Sequence, residues 1–406
     1  MIDTRPNPLQ TTEPLTTRWE ASAIEVERVR DELAALWVEW TYRYGESAAV
    51  VTSDLREQVY MRPSTMNVIA VTEGEEAAAR IGDVLGSLPD YSPSRSIVLS
   101  RNRNNGGGGN QFGVRIEINE RRVLKSSSPI HTEVIALTAP AGNDEVLASI
   151  STPLLVPDLP DVLFVPGEPF AGNELVAGLL DSIDGLLVDT VASTKVGDTL
   201  AFLSQAASLN LRMGIGDLVW TRLRTWRDLI AQFFDQPSAL ACLEHIDEVR
   251  LVYAPPNGEG RSGLTAGLLM AGWLSSRLGW RASGDLIPAP GEYRLTLRAG
   301  ERGKSREVLL HLVHGTSTLS CSSLESVRLS AGGLDPCMFF VERADEAAIT
   351  TFSSSLHVAD MTRLVHSSCP SDRVILAAKL RRLRVDTVYL EALAVASTLW
   401  PEGFGS

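Results

Sequence analysis

The sequence predicts an α/β domain followed by an α+β domain. Strand and helix patterns take turns between residues 66 and 207, which is the signature of crossover units and a mixed or parallel sheet. From about 249 onward, β segments accumulate around one long helical pattern, and two more helical patterns close the chain. That grouping predicts a small sheet with closing helices. The composition divides accordingly: a Pro/Thr-rich tail at 1–18, an N-terminal helix at 19–45, the α/β domain at 46–212 and the α+β domain at 213–406.

In order, Trp19–Tyr44 carries Ile24, Val29, Leu33, Leu36, Trp37 and Trp40 at helical spacing. Met66–Val71 is a short apolar strand, Glu73–Leu88 a helix and Ser96–Leu99 a second strand. Phe112–Ile118 alternates apolar and polar residues, as a half-buried strand does, and Glu133–Leu137 continues the sheet. Strand, helix, strand and helix then follow at Val162–Val165, Glu174–Leu180, Leu186–Val188 and Lys195–Ala207. Ser208–Gly216 marks the domain boundary. Beyond it come a strand at Val249–Tyr253 and a helix at Thr265–Arg277. Further strands are expected at Tyr293–Leu297, Val308–Val313, Leu324–Leu329 and Met338–Val341, then helices at Asp372–Leu383 and Thr387–Leu399.

A chain of 406 residues with net charge −13 is long enough for two or three cores. Its acidity argues against nucleic acid or an anionic membrane as partner, because both reward a basic surface. No apolar run reaches the roughly 20 residues that span a bilayer. The N-terminus lacks the apolar stretch of a secretory signal, so the expected location is cytoplasmic.

Chemical motifs are few. Asn104–Asn110 is rich in glycine but lacks the Lys-Ser/Thr and following helix of a phosphate loop, so it reads as a hairpin tip. His311 and His314, three apart on a strand, point to opposite faces and cannot chelate one metal. Cys242 with His245, and His366 with Cys369, have ligand spacing but lie far apart in sequence. Ser355, His357 and Asp360 sit too close in sequence to read as a triad. No dinucleotide fingerprint is present. The expectation is therefore no catalytic residue, no metal and no cofactor.

The densest feature is Gly216–Asp235, with two tryptophans and three arginines. Val219, Trp220, Leu223, Trp226, Ile230 and Phe233 form one helical face, and Thr225 with Asp228 reads as a capping box that restarts a helix mid-tract. Two readings stand open: a core helix with solvated arginines, or a docking helix, since Trp and Arg are enriched at interface hot spots. Lys379–Arg384 is a local basic cluster that either complements a helix C-terminus or meets a partner.

Four segments resemble the OpcA family of glucose-6-phosphate dehydrogenase assembly proteins: Leu154–Pro160, Asp217–Leu229, Leu269–Trp280 and Leu380–Leu393. They occur in family order. The resemblance implies a non-enzymatic partner that binds glucose-6-phosphate dehydrogenase and promotes its active oligomeric state, at the entry to the oxidative pentose phosphate pathway. It makes Trp220, Arg222, Trp226, Arg227, Lys379, Arg381, Arg382 and Arg384 the candidate interface residues. In cyanobacterial members cysteines link the family to thioredoxin, which makes thioredoxin a second candidate partner. The redox candidates are Cys321, Cys337 and Cys369, paired as 321–337 or 337–369. The alternative is a sugar-phosphate or metabolite-binding protein, or an enzyme, built on the α/β domain.

Overall fold

The computed structural model describes residues 15–21, 26–44, 65–88, 94–102, 112–121, 130–166, 173–210, 212–256, 262–300, 305–317, 324–332, 336–355 and 358–400. Two compact units divide the chain. One comprises Met1–Val165, Glu174–Leu186 and Leu376–Arg381; the other comprises Pro166–Asn173, Leu187–Ile375 and Arg382–Ser406.

The first unit begins with β1 (Leu15–Ala21) and α1 (Val26–Tyr44). There follow β2 (Met66–Glu73), α2 (Glu75–Gly86), β3 (Ser94–Asn102), β4 (Gly113–Arg121), β5 (Ile130–Pro140), α3 (Asp144–Ser151), β6 (Asp161–Val165) and α4 (Glu174–Leu179). Its strands run in the order β1-β4-β5-β3-β2-β6. β3 pairs in parallel with β5 and β2, and β2 with β6, whereas β1–β4 and β4–β5 are antiparallel. This is the mixed sheet that the alternating pattern predicts. Val68–Val71, Ile97–Leu99, Ile135 and Leu137 are buried on both faces, as strands sandwiched by helices must be.

Helices α1 and α2 take opposite faces of β5. Trp37 on α1 donates its indole N–H to Glu133 at 2.6 Å. On the other face, Thr132 donates to the Gly86 carbonyl of α2 and Gly82 approaches Val134. Trp19 departs from the sequence reading, which placed it at the start of a helix. It lies on β1 opposite Ile116, and Leu15–Arg18 of the expected tail share that strand. A pairing partner about a hundred residues away overrides local periodicity. The glycine-rich stretch Asn104–Asn110 lies outside the described residues.

The chain passes between the units within β7 (Gly185–Val188). The second unit continues with α5 (Val196–Leu209), β8 (Gly214–Asp217), α6 (Leu218–Arg222), α7 (Arg224–Phe233), α8 (Pro237–Leu243), β9 (Glu248–Tyr253) and α9 (Leu264–Leu278). Next come β10 (Arg281–Ala282), β11 (Ile287–Ala289), β12 (Glu292–Ala299), β13 (Arg306–His314), β14 (Leu324–Ala331), β15 (Cys337–Asp345), β16 (Ala348–Ser355) and β17 (Val358–His366). Helices α10 (Asp372–Leu380) and α11 (Thr387–Leu399) close the chain.

Its sheet is larger than expected: nine strands, ordered β10-β12-β13-β9-β14-β15-β16-β17, with β11 on β12. Only β9–β13 is parallel among its described pairs. The sequence reading missed β16, a Thr/Ser-rich stretch that lacks apolar alternation, and β17. They form because β15 offers a free edge to a meander. Under the sheet, α9 is buried almost throughout and packs against α11.

Candidate functional site

The tract 216–235 folds as two short helices. Asp217 caps α6 by accepting from the Val219 N–H at 2.8 Å, which satisfies an otherwise orphaned donor. The break falls at Leu223, two residues before the expected capping box, and α7 starts without a side-chain cap. Trp220, Leu223, Trp226, Leu229 and Ile230 are buried. Trp220 and Trp226 are 2% and 4% exposed, so both pack within these helices beneath the surface.

Trp220 is a junction. Its indole N–H donates to Asp386 at 3.1 Å, and the other Asp386 oxygen caps α11 through the Tyr389 N–H at 3.0 Å. The Tyr389 ring lies 5.6 Å from that of Trp220. Arg227 also covers the indole, its guanidinium carbon 3.4 Å from the ring centroid and its Nη1 donating to the Trp220 carbonyl at 2.8 Å. Burial pulls the Arg227 pKa down to about 10, which still leaves it charged at neutral pH. A cation held against an indole face is stabilised by the ring quadrupole.

Arg222 forks onto Asp189 with bonds of 2.7 and 2.9 Å and reaches Asp372 at 2.7 Å. Burial opposes its charge, but the two carboxylates outweigh burial and raise its pKa above the usual arginine range. Asp217 lies one turn away and is fully buried. It accepts from the Thr190 hydroxyl at 2.6 Å, yet burial still pushes its carboxyl up to about 6. Thr190 also receives Thr265 of α9 on its carbonyl, and the neighbouring Val191 carbonyl accepts from the Ser262 N–H.

Three of the four segments singled out in the sequence thus meet in one cluster. Gly272 of the second packs on Ala392 of the third, and Trp220 of the first binds Asp386. The remaining segment, Leu154–Pro160, belongs to the first unit. There the Asn67 side chain bonds both the N–H and the carbonyl of Val156, Arg95 holds the Leu154 carbonyl, and Asp158 adopts φ 62°.

Arg381, Arg382 and Arg384 are exposed and Lys379 is half-buried. Cys337 is buried and lies outside any disulfide, so neither pairing expected through it is present. Cys369 is disulfide-bonded, and Cys321 lies outside the described residues. His311 and His314 take opposite faces as expected. His311 is buried beside Glu292, while His314 stacks near Tyr253 and Tyr293.

Sequence reasoning missed the carboxylates Asp189, Asp217, Asp372 and Asp386. Asp217 and Asp386 each stand immediately before a helix, and Asp189 immediately before the 3-10 turn Thr190–Ala192, a capping signal that was available. Each of the four is already bonded to an arginine, hydroxyl, indole or helix N–H. The cluster has the chemistry of a rigid polar tie and reaches solvent at Asp372, whose side chain is 50% exposed.

Residues 213–393 match a family described as the C-terminal domain of the OpcA glucose-6-phosphate dehydrogenase subunit. The chain is 28% identical over 217 residues to the OxPP cycle protein OpcA of Nostoc punctiforme, covering 52% of this chain and 44% of that protein. It is 30% identical over 148 residues to the OpcA protein of Synechocystis, covering 36% and 30% respectively. The matches thus span less than half the length of these two relatives. Among solved structures the chain is similar to KijD10, a 3-ketoreductase from Actinomadura kijaniata, at 10% identity and a TM-score of 0.45, over 83% of this chain and 97% of that one.

Proposed function

We propose, on the match of residues 213–393 to the C-terminal domain family of the glucose-6-phosphate dehydrogenase subunit, that the chain is a non-enzymatic assembly factor of the OpcA kind. It binds glucose-6-phosphate dehydrogenase and favours the enzyme's active oligomeric state. The family match carries this reading. The polar cluster supports it, because its carboxylates and arginines are engaged with one another and hold α6, α7, α9 and α11 in a fixed arrangement. A rigid scaffold is what shape-matched docking requires.

An activator must bind one state of its partner better than another, since equal affinity shifts nothing. A tenfold shift needs about 1.4 kcal/mol of differential binding, within reach of one or two well-placed arginines. Arg382 and Arg384, exposed beside the cluster's Asp386, are the contact residues in this reading, with Trp220 and Trp226 as the scaffold beneath. Thioredoxin is a secondary partner, acting through the disulfide of Cys369.

The test mixes the purified chain with its cognate dehydrogenase and follows rate against glucose-6-phosphate concentration together with complex size. A change in KM, kcat or oligomeric mass is expected. No change in any of them overturns the proposal. Turnover, or thermal stabilisation by sugar phosphates in the absence of the dehydrogenase, would favour a metabolite-binding role instead.

A further inference from the structure

Helices α7 and α8 leave a cleft over the last three strands of the second sheet, β15, β16 and β17. All its walls belong to the second unit. On the helical side Leu229, Gln232 and Phe233 stand three and four residues apart, so one face of α7 lines it. Register sets the facing wall. Phe339 of β15 pairs with Ser353 of β16, and Ser353 with Met361 of β17. One row further, Val341 pairs with Thr351 and Thr351 with Arg363. These rows are two residues apart along each strand and therefore share a face. It is the face that meets α7, since Phe233 lies 5.3 Å from Phe339.

The charge of the wall is the first clue to its occupant. Arg363 is exposed and has no carboxylate partner among the described residues. Its Nε donates to the Met361 sulfur at 3.0 Å, a weak acceptor, which leaves the paired terminal nitrogens for a planar anion. No acidic side chain is among the described residues that line the cleft. Glu342 and Asp360 on the same strands, and Asp235 just beyond α7, are not part of it. The cleft thus carries one positive charge in a chain of net charge −13.

Polarity and size narrow the choice. Thr351 is only 5% exposed, and its hydroxyl has no hydrogen-bond partner among the described residues. The Ser355 hydroxyl in the same wall is buried without one as well. Buried hydroxyls left unpaired are costly, and a ligand oxygen would pair them. Around them lie apolar surfaces, the rings of Phe233 and Phe339 with Leu229 and Val365. The cavity of about 90 Å³ has room for about six waters, which suits a ring or a short branched chain with one acid group. A phosphomonoester dianion fits less well, because a single guanidinium leaves part of its charge unpaired.

We propose that this cleft binds a small organic carboxylate with an aromatic or branched apolar body. Arg363 holds the carboxylate through its terminal nitrogens, and the Thr351 hydroxyl, directly across the β16–β17 pair, is a further donor. Phe233 and Phe339 cover the apolar body. The site is independent of the dehydrogenase-binding proposal, since neither Arg382 nor Arg384 lines it.

The test titrates the full chain at neutral pH with benzoate and with benzamide by ligand-observed NMR, and scores inorganic phosphate as a competitor of benzoate. Benzoate should bind with a Kd of about 10 mM or tighter, the floor that ligand efficiency sets for a body of this size. Benzamide, equal in shape but neutral, should bind at least about tenfold more weakly, and so should phosphate. Arg363→Gln changes an exposed side chain, so folding stays intact, and should weaken benzoate binding about tenfold or more. Thr351→Val replaces an unpaired hydroxyl by a methyl and should weaken binding about threefold or more at an unchanged melting temperature. Failure of benzoate to bind, or binding indifferent to both variants, overturns the proposal. Benzamide or phosphate matching benzoate overturns it too, giving the cleft to a neutral ring in the first case and to an inorganic anion in the second.

Discussion

Gly272 on α9 lies so close to α11 that a Cβ built on it would sit 2.2 Å from the Ala392 carbonyl oxygen. The obstacle is backbone, which cannot rotate away. Gly272→Ala should therefore destabilise the chain by about 3 kcal/mol or more, at the upper end of overpacking costs. Gly267→Ala on the same helix meets its nearest neighbour, Leu312, at an ordinary 3.5 Å. It should be neutral or stabilising by up to about 1 kcal/mol through helix propensity. Chemical denaturation of the two variants separates the cases.

Arg222 satisfies Asp189 and Asp372 together. Arg222→Met strands the Asp189 carboxylate, which is only 10% exposed, and should cost about 3–5 kcal/mol. Arg222→Lys keeps a charge but not the fork, and should fall between. Adding Asp189→Asn to Arg222→Met should recover much of the loss, as a double-mutant cycle in urea would measure.

The Asp217 carboxyl titrates at about 6 in the folded chain against 3.8 for the ordinary group, because burial disfavours its charge. The folded state therefore holds this proton more tightly than the unfolded state. Its contribution is most favourable below about pH 4 and is lost as pH rises through about 6, a swing of about 3 kcal/mol. Other carboxylates pull the opposite way, so the readout is a difference. Between pH 4 and 6, unfolding free energy should gain more with rising pH in Asp217→Asn than in wild type; equal slopes would refute the assignment.

Trp220→Phe keeps most of the buried ring but removes the N–H bonded to Asp386 and reshapes the surface under Arg227. A loss of about 1–3 kcal/mol is expected from the unpaired acceptor and the weaker cation–π contact. Asp386→Ala should cost a similar amount by removing the α11 cap as well. Because both changes break one bond, their costs should not add.

Charge reversal at Arg382 and Arg384 tests the docking reading. Both side chains are exposed, so Arg382→Glu with Arg384→Glu should leave the melting temperature within about 2 °C of wild type. Association with the dehydrogenase should weaken by about tenfold or more, with strong salt dependence. Unchanged binding would move the contact elsewhere.

Much of the architecture is legible in the sequence. Helix α11 is read at its observed bounds, Thr387–Leu399, because its apolar pattern runs uninterrupted. The strands from β2 to β6 announce themselves by apolar runs between helices. Reading fails where the deciding partner is remote: Trp19 keeps helical periodicity with α1 but pairs with Ile116, and Thr350–Ser355 has no apolar stripe until β15 supplies an edge.

The candidate site divides the same way. Its residue types are visible, since a Trp/Arg-dense tract, a glycine-bearing helix and an apolar C-terminal helix all stand out in one dimension. Whether they face a partner or one another is settled by packing. Trp220 and Asp386 are 166 residues apart and bond only because α9 allows α11 to approach at Gly272. Local pattern fixes which segments are helix or strand, since periodicity and caps act within a few residues. Tertiary structure alone decides which charges become buried pairs and which stay in solvent, because burial depends on every segment that covers them.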